Sequence, residues 1–210
     1  MTSGRGVLFI THAEVAIDPA VPVTAWPLSS TGRERRRLFN FSWATAGVRS
    51  IYCSGEQKAI DGATILSEAA RAVPRIVEAL HENDRSATGF LPPQEFQATA
   101  DLFFAHPERS VRGWERAADA QERIVSAVRA IEAADTASGD IAIVAHGGVG
   151  ALLLCHILGV PISRAHDQPG SGGGSYFMFD LGSWRLRHGW RDIAPSNTSG
   201  LTTLIAVPPA

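Results

Sequence analysis

Short apolar runs alternating with helical patterns predict an α/β fold: a three-layer sandwich with a largely parallel central sheet and helices on both faces. Three observations carry this. Val7-Leu8-Phe9-Ile10 and Ile141-Ala142-Ile143-Val144 read as buried parallel strands, continuous apolar runs too short for helices. Between them lie segments whose apolar residues recur at helical spacing. No linker divides the 210 residues, so residues 1–210 are read as a single domain. A chain of this size buries about 70% of its unfolded surface and needs no disulfide staples.

Taken in order, the first strand is followed by a Pro-rich loop, Asp18 to Pro27. Ser29-Ser30-Thr31 offers caps for a helix from Gly32 to Trp43, ended near Gly47. Arg33, Arg35, Arg36 and Arg37 read as its solvated face. Arg49 to Ser54 is a second strand. A helix starting near Gln57 carries Ile60, Ala63, Ile65 and Leu66. Pro74 marks a start or break before Ile76 to Leu80, and His81 to Pro93 reads as a loop. Gln94 to Phe104, Trp114 to Ala134 and Gly150 to Leu158 are predicted helices. Gly170 to Gly174 is a flexible loop at a pocket rim. Ser175 to Asp180 and Trp184 to Arg191 form a hairpin, and the tail from Pro195 is weakly structured or an edge element.

Composition narrows the function classes. The net charge is −2, and no basic stretch is interleaved with aromatics, so nothing points to nucleic acid. No run approaches the ~20 apolar residues of a membrane span. Cys53 and Cys155 sit in apolar contexts and read as buried free thiols. With no secretory leader in sight, this suggests a cytoplasmic protein. The histidines show no metal-ligand spacing, and neither a metal nor a cofactor is expected.

The chemistry concentrates at the two strand ends. The first strand runs into Thr11-His12-Ala13-Glu14, the second into Ala145-His146-Gly147-Gly148. Ligand crevices of open α/β sheets lie at strand C-termini, so both imidazoles are expected in one pocket. Gly147 and Gly148 lead into a helix whose N-terminal amides favour an anion. Two imidazoles facing one pocket suit phosphoryl transfer, one as nucleophile and one as donor to the phosphoryl oxygens.

In their order along the chain these segments resemble the histidine phosphatase (phosphoglycerate mutase-like) superfamily. They are the strand with His12, Leu28-Ser-Ser-Thr-Gly32, Tyr52-Cys53-Ser54, Leu80-His81-Glu82, Gly113-Trp114-Glu115 and Val144-Ala145-His146-Gly147-Gly148-Val149. The resemblance covers about residues 6 to 190. It implies a phosphohistidine on His12, His146 as second catalytic histidine and Glu82 as the acid. The family's Arg-His-Gly block is Thr11-His12-Ala13 here, and Lys58, the sole lysine, stands where a second arginine is usual. Arginine grips phosphate with a two-pronged fork, lysine gives a point charge and threonine only a hydroxyl. Thr11, Lys58, Arg85 and Gly147 are therefore the expected phosphate-binding positions. Arg85 is read as swinging in to replace the missing guanidinium, or else pairing with Asp84.

The function expected from this is metal-independent phosphomonoester hydrolysis, of a phosphorylated small molecule or a phosphoprotein. A mutase needs a tighter phosphate grip than this pocket offers. The alternative is a pseudo-phosphatase that binds a phosphorylated ligand or partner without turnover. A Ser or Cys hydrolase would need the Gly-x-Ser-x-Gly elbow, which the sequence lacks.

Overall fold

The computed structural model describes residues 4–170 and 172–193. Six strands form one mixed sheet: β1 (Gly6–Thr11), β2 (Val48–Cys53), β3 (Pro74–Ile76), β4 (Asp140–Ala145), β5 (Ser175–Asp180) and β6 (Leu186–Asp192). Their order is β3-β2-β4-β1-β5-β6. β3, β2, β4 and β1 run parallel, while β5 is antiparallel to both β1 and β6. The helices are α1 (Ser30–Phe39), α2 (Gln57–Ala70), α3 (Pro93–Ala105), α4 (Ala117–Ala134) and α5 (Gly147–Leu158). None is long and apolar enough to cross a membrane.

The two-residue pleat explains the layers. In β1, Leu8 and Ile10 point to one side, where they join Phe39 of α1 and Ala63 and Leu66 of α2. Val7 and Phe9 point to the other, against Ile124 and Val128 of α4 and Val149 and Leu153 of α5. Phe9 stacks on Phe177 of β5 with ring centroids 5.0 Å apart. Each fully buried side chain of this size contributes roughly 1.5–3 kcal/mol. α3 and the buried Trp114 build a third cluster against α5, with Phe103, Phe104, Ala151 and Leu152.

Several expectations shift. β3 is a three-residue edge strand starting at Pro74, where a missing N–H is tolerated. α1 stops at Phe39, and Trp43–Thr45 is a separate turn of 3-10 helix. α4 begins at Ala117 because Arg112 and Gly113 adopt φ values of 53° and 80°. α5 begins at Gly147, three residues early. The arginine run is not one solvated face. Arg36 lies one helical turn from Gly32 and Phe39, on the inner side of α1, and is 1% exposed. Its Nε donates to the Gly62 carbonyl, and burial lowers the guanidinium to about 9. Arg33 pairs with Asp61, and Arg35 with Glu14 and Asp192. The tail from Pro195 lies outside the described residues, as does Ser171 of the glycine-rich loop.

Candidate active site

β1 and β4 are neighbours in register, with Thr11 opposite Ala145. The His12 amide extends the pairing by donating to the Ala145 carbonyl at 3.0 Å. The two strand ends therefore bring His12 and His146 side by side: their ring centroids are 5.4 Å apart, edge to face.

His12 is partly open, and its Nδ1 lies 2.8 Å from the Ala13 carbonyl. A carbonyl only accepts, so Nδ1 carries the hydrogen and Nε2 keeps its lone pair. Desolvation, opposed by that hydrogen bond, lowers the imidazole to about 4, so it is neutral at pH 7. The glycine-rich loop secures the backbone here. The Gly174 amide donates to the His12 carbonyl at 2.8 Å. At Gly173 a Cβ would fall 2.3 Å from that oxygen, and φ is +64°. This part of the expected flexible rim is thus packed against the histidine it borders.

His146 is fully buried. Its Nε2 lies 2.8 Å from Ser54 Oγ and 3.4 Å from Glu56 Oε1, while Nδ1 has no partner among the described residues. Burial lowers it to about 3. Ser54 and Glu56 come from the end of β2 and the turn into α2, next to β4 in the sheet.

Glu56 is the site residue that sequence reasoning passed over. Its Oε2 is 2.5 Å from Lys58 Nζ, and its Oε1 accepts from the Glu82 amide at 3.0 Å. Burial raises this carboxyl, but His146, Lys58 and the Glu82 amide outweigh it and hold it at about 2. Lys58 is 3% exposed and also donates to the Val23 carbonyl at 2.8 Å. The available signal was an acid two residues before the sole lysine, directly after a strand end.

Glu82 reaches the same place from the segment after β3. Its carboxylate accepts from the Gly148 amide at 3.0 Å and the Val149 amide at 2.9 Å, at the N-terminus of α5. The anion-binding helix end foreseen in the sequence is there, and a protein carboxylate occupies it. Gly148 must lack a side chain, since a Cβ would sit 2.7 Å from Glu82 Oε1. Burial raises the Glu82 carboxyl, but Arg85, His146 and the Gly148 amide leave it below the usual range. Arg123 of α4 holds the segment by donating to the carbonyls of Ala79 and His81, both at 2.9 Å.

The other expected phosphate ligands fall as follows. Thr11 is 1% exposed; its Oγ1 donates to Gln168 Oε1 at 2.7 Å and accepts from the Ser175 amide at 2.9 Å. Its hydroxyl hydrogen has Gln168 Oε1 as the nearer acceptor and the Ser175 carbonyl, at 3.2 Å, as the farther one. Gln168 in turn covers Gly147, where a Cβ would meet its Nε2 at 2.3 Å. The Arg85 guanidinium carbon lies over the rings of Phe96 and Trp114, 5.1 and 5.7 Å from their centroids, and no ion pair with Asp84 is formed. Its charge acts on Glu82. Asn83, buried beside Glu82, has an Nδ2 without a partner among the described residues.

The family described as the histidine phosphatase superfamily (branch 1) matches residues 7–189. Mycobacterial glucosyl-3-phosphoglycerate phosphatase, solved with inorganic phosphate, is similar in fold, with TM-score 0.70 and 22% identity over 90% of this chain and 95% of that one. Bacillus stearothermophilus YhfR is similar at TM-score 0.69 and 20% identity, over 92% and 98%. A putative alpha-ribazole-5'-P phosphatase from Escherichia coli is similar at TM-score 0.67 and 14% identity, over 93% and 100%. No curated protein matches the chain.

Proposed function

The chain belongs to the histidine phosphatase superfamily, and from that membership and the site geometry we propose that it hydrolyses phosphomonoesters through a phosphohistidine on His12. The carrying observation is the His12 imidazole: Nδ1–H is spent on the Ala13 carbonyl, and Nε2 is left as a neutral nucleophile beside a second buried imidazole. The resemblance to phosphatases of small phosphorylated molecules favours a phosphorylated small molecule as substrate.

In the first step the Nε2 lone pair attacks phosphorus and the bond to the leaving oxygen breaks. Lys58 Nζ and His146 Nε2–H donate to the phosphoryl oxygens, where the loose transition state spreads its charge. The Asn83 amide, whose Nδ2 has no partner among the described residues, is proposed as a further donor. Gly147 stands at the mouth of α5 under Gln168, and Thr11 acts by fixing the Gln168 amide. Arg85 acts through Glu82. Glu82 is ionised in the free protein, so a monoanionic ester supplies the proton. The phosphoryl charge beside Glu82 raises its carboxyl, and the proton passes through it to the leaving oxygen. In the second step Glu82 takes a proton from water, water attacks phosphorus, the N–P bond breaks, dianionic phosphate leaves and Glu82 gives the proton up to solvent. No step calls for a metal.

One observation favours a second reading, a pocket that binds a phosphorylated ligand without turnover: Thr11 stands where the family's arginine is usual, and its hydroxyl faces Gln168 and offers no cationic fork for the transition state. An aryl phosphate assay over pH 4–8 separates the two. Turnover that falls at least about 10³-fold in His12→Ala supports hydrolysis. Phosphate binding with no turnover in the wild type selects the binding protein.

A further inference from the structure

We propose that Glu56 is an internal competitor for the phosphoryl group, a carboxylate seated on the same two donors that a phosphate must use, so that it sets the affinity and charge preference of the site. This rests on the phosphate-binding reading above. Lys58 Nζ and His146 Nε2 are the donors that the phosphatase reading assigns to the phosphoryl group, and Glu56 touches both, at 2.5 and 3.4 Å. It is anchored for this by Ser54 Oγ, which accepts from the Glu56 amide at 3.2 Å, and by the Glu82 amide on Oε1 at 3.0 Å. Glu56 precedes the first turn of α2 as its N-cap residue, yet its side chain makes no capping bond to that helix. The carboxylate instead points toward the imidazole and the ammonium.

The surroundings make its charge consequential. Glu56, Lys58 and His146 are all buried, so solvent screens their mutual interactions poorly. The charged groups facing this point are Lys58, Glu56 and Glu82, with Arg85 acting on Glu82. Both imidazoles are neutral at pH 7. The two cations are therefore matched by two carboxylates before any ligand arrives. A dianionic phosphoryl group meets no net positive charge and must push the Glu56 carboxylate off Lys58 and His146. A monoanionic phosphoryl group meets half the repulsion. Glu56 thus favours singly charged phosphoryl groups and speeds release of the dianionic product.

The rival role is orientation: Glu56 as a carboxylate that merely steers the His146 ring, with no effect on phosphate affinity. Calorimetric titration with inorganic phosphate separates the two, using wild type, Glu56→Gln and Glu56→Ala at pH 8, where phosphate is mainly dianionic, and at pH 6. The amide in Glu56→Gln is isosteric and keeps an oxygen for Lys58, and a thermal melt checks that each variant is folded. Glu56→Ala removes the oxygen as well and gives the same sign without relying on how an amide seats. The expected result is phosphate binding at least about tenfold tighter in both variants at pH 8, with a smaller gain at pH 6. KM for an aryl phosphate falls in parallel. Unchanged or weaker phosphate binding with a lower kcat assigns Glu56 to orientation and overturns the proposal. If wild type and variants alike bind no phosphate, the phosphatase reading itself falls and takes this one with it. If all bind phosphate equally while turnover persists, only the competitor role is lost.

Discussion

The ends of β1 and β4 are built alike and finished differently. Each is a buried parallel strand that stops on a histidine, and the two histidines meet with ring centroids 5.4 Å apart. At the end of β1 the ring is tied through Nδ1 to its neighbour's carbonyl, and its other nitrogen has no hydrogen-bond partner among the described residues. At the end of β4 the ring is fully buried, and its Nε2 faces Ser54 and Glu56. The continuation differs as well. After His12 the chain is irregular and is clasped by Gly173 and Gly174, whereas after His146 it enters α5, whose first amides hold Glu82. The same device at two strand ends ties Nδ1 of one ring to a backbone carbonyl and sets Nε2 of the other against Ser54 and Glu56, and the proposed roles of nucleophile and donor rest on that difference. What separates them is which nitrogen the surroundings consume.

Replacing His146, the proposed donor, breaks the comparison most sharply. His146→Asn is expected to lower kcat on an aryl phosphate by about 10²–10³-fold while leaving His12 able to accept the phosphoryl group, measured by steady-state kinetics and by adduct formation. A variant that turns over normally would show that the two strand ends do not work as a pair. Glu82→Gln should cost about a hundredfold in kcat through loss of proton transfer. It should also cost about 1 kcal/mol of stability, because the charge on the α5 amides is lost, read from a denaturant titration.

The pH dependence of stability tests the burial of His146. An imidazole in the unfolded chain titrates near 6.5, while burial holds His146 at about 3 in the folded protein. Below pH 6.5 the unfolded chain gains a proton that the folded protein refuses until pH approaches 3. This contribution is therefore complete above pH 6.5 and is lost on the way down to 3. Glu56, held at about 2 against an ordinary 4.5, adds acid lability at the lower end of the same range. The melting temperature should fall as pH drops from 7 to 5, with a visibly shallower slope in His146→Asn. The smallest effect is expected at Thr11. Thr11→Val removes the Gln168 and Ser175 contacts, for about 1–2 kcal/mol of stability and a change in phosphate affinity of a few-fold at most.

The parts of the fold legible in the sequence are those where a single period governs. β1 and β4 are continuous apolar runs buried on both faces, and α2 carries its apolar residues at helical spacing. The hairpin of β5 and β6 was equally plain. β3 was not, because three residues starting with Pro74 form a strand only by adding to the edge of β2. The first turn of α5 was missed because Gly147 and Gly148 read as the lead-in to that helix rather than as its first residues. Their bare Cα atoms are what let Gln168 and Glu82 approach. Arg36 resembled a surface arginine, and only the angular position of Gly32 and Phe39 on α1 shows that it turns inward. In the site, His12, His146 and Glu82 stand at positions that strand ends and family resemblance mark. Glu56 is marked by neither, because its partners Lys58, His146 and the Glu82 amide come together only once β2, β4 and the segment after β3 are side by side.

The central claim is that His12 carries the phosphoryl group on Nε2. Rapid acid-free quenching during turnover of an aryl phosphate, followed by peptide mass spectrometry, tests it most directly. The expected result is an acid-labile phosphoryl adduct on the peptide containing His12, formed within the first turnover, absent from His12→Ala and retained in His146→Asn. Sustained turnover with no adduct on His12, or undiminished turnover in His12→Ala, would contradict it.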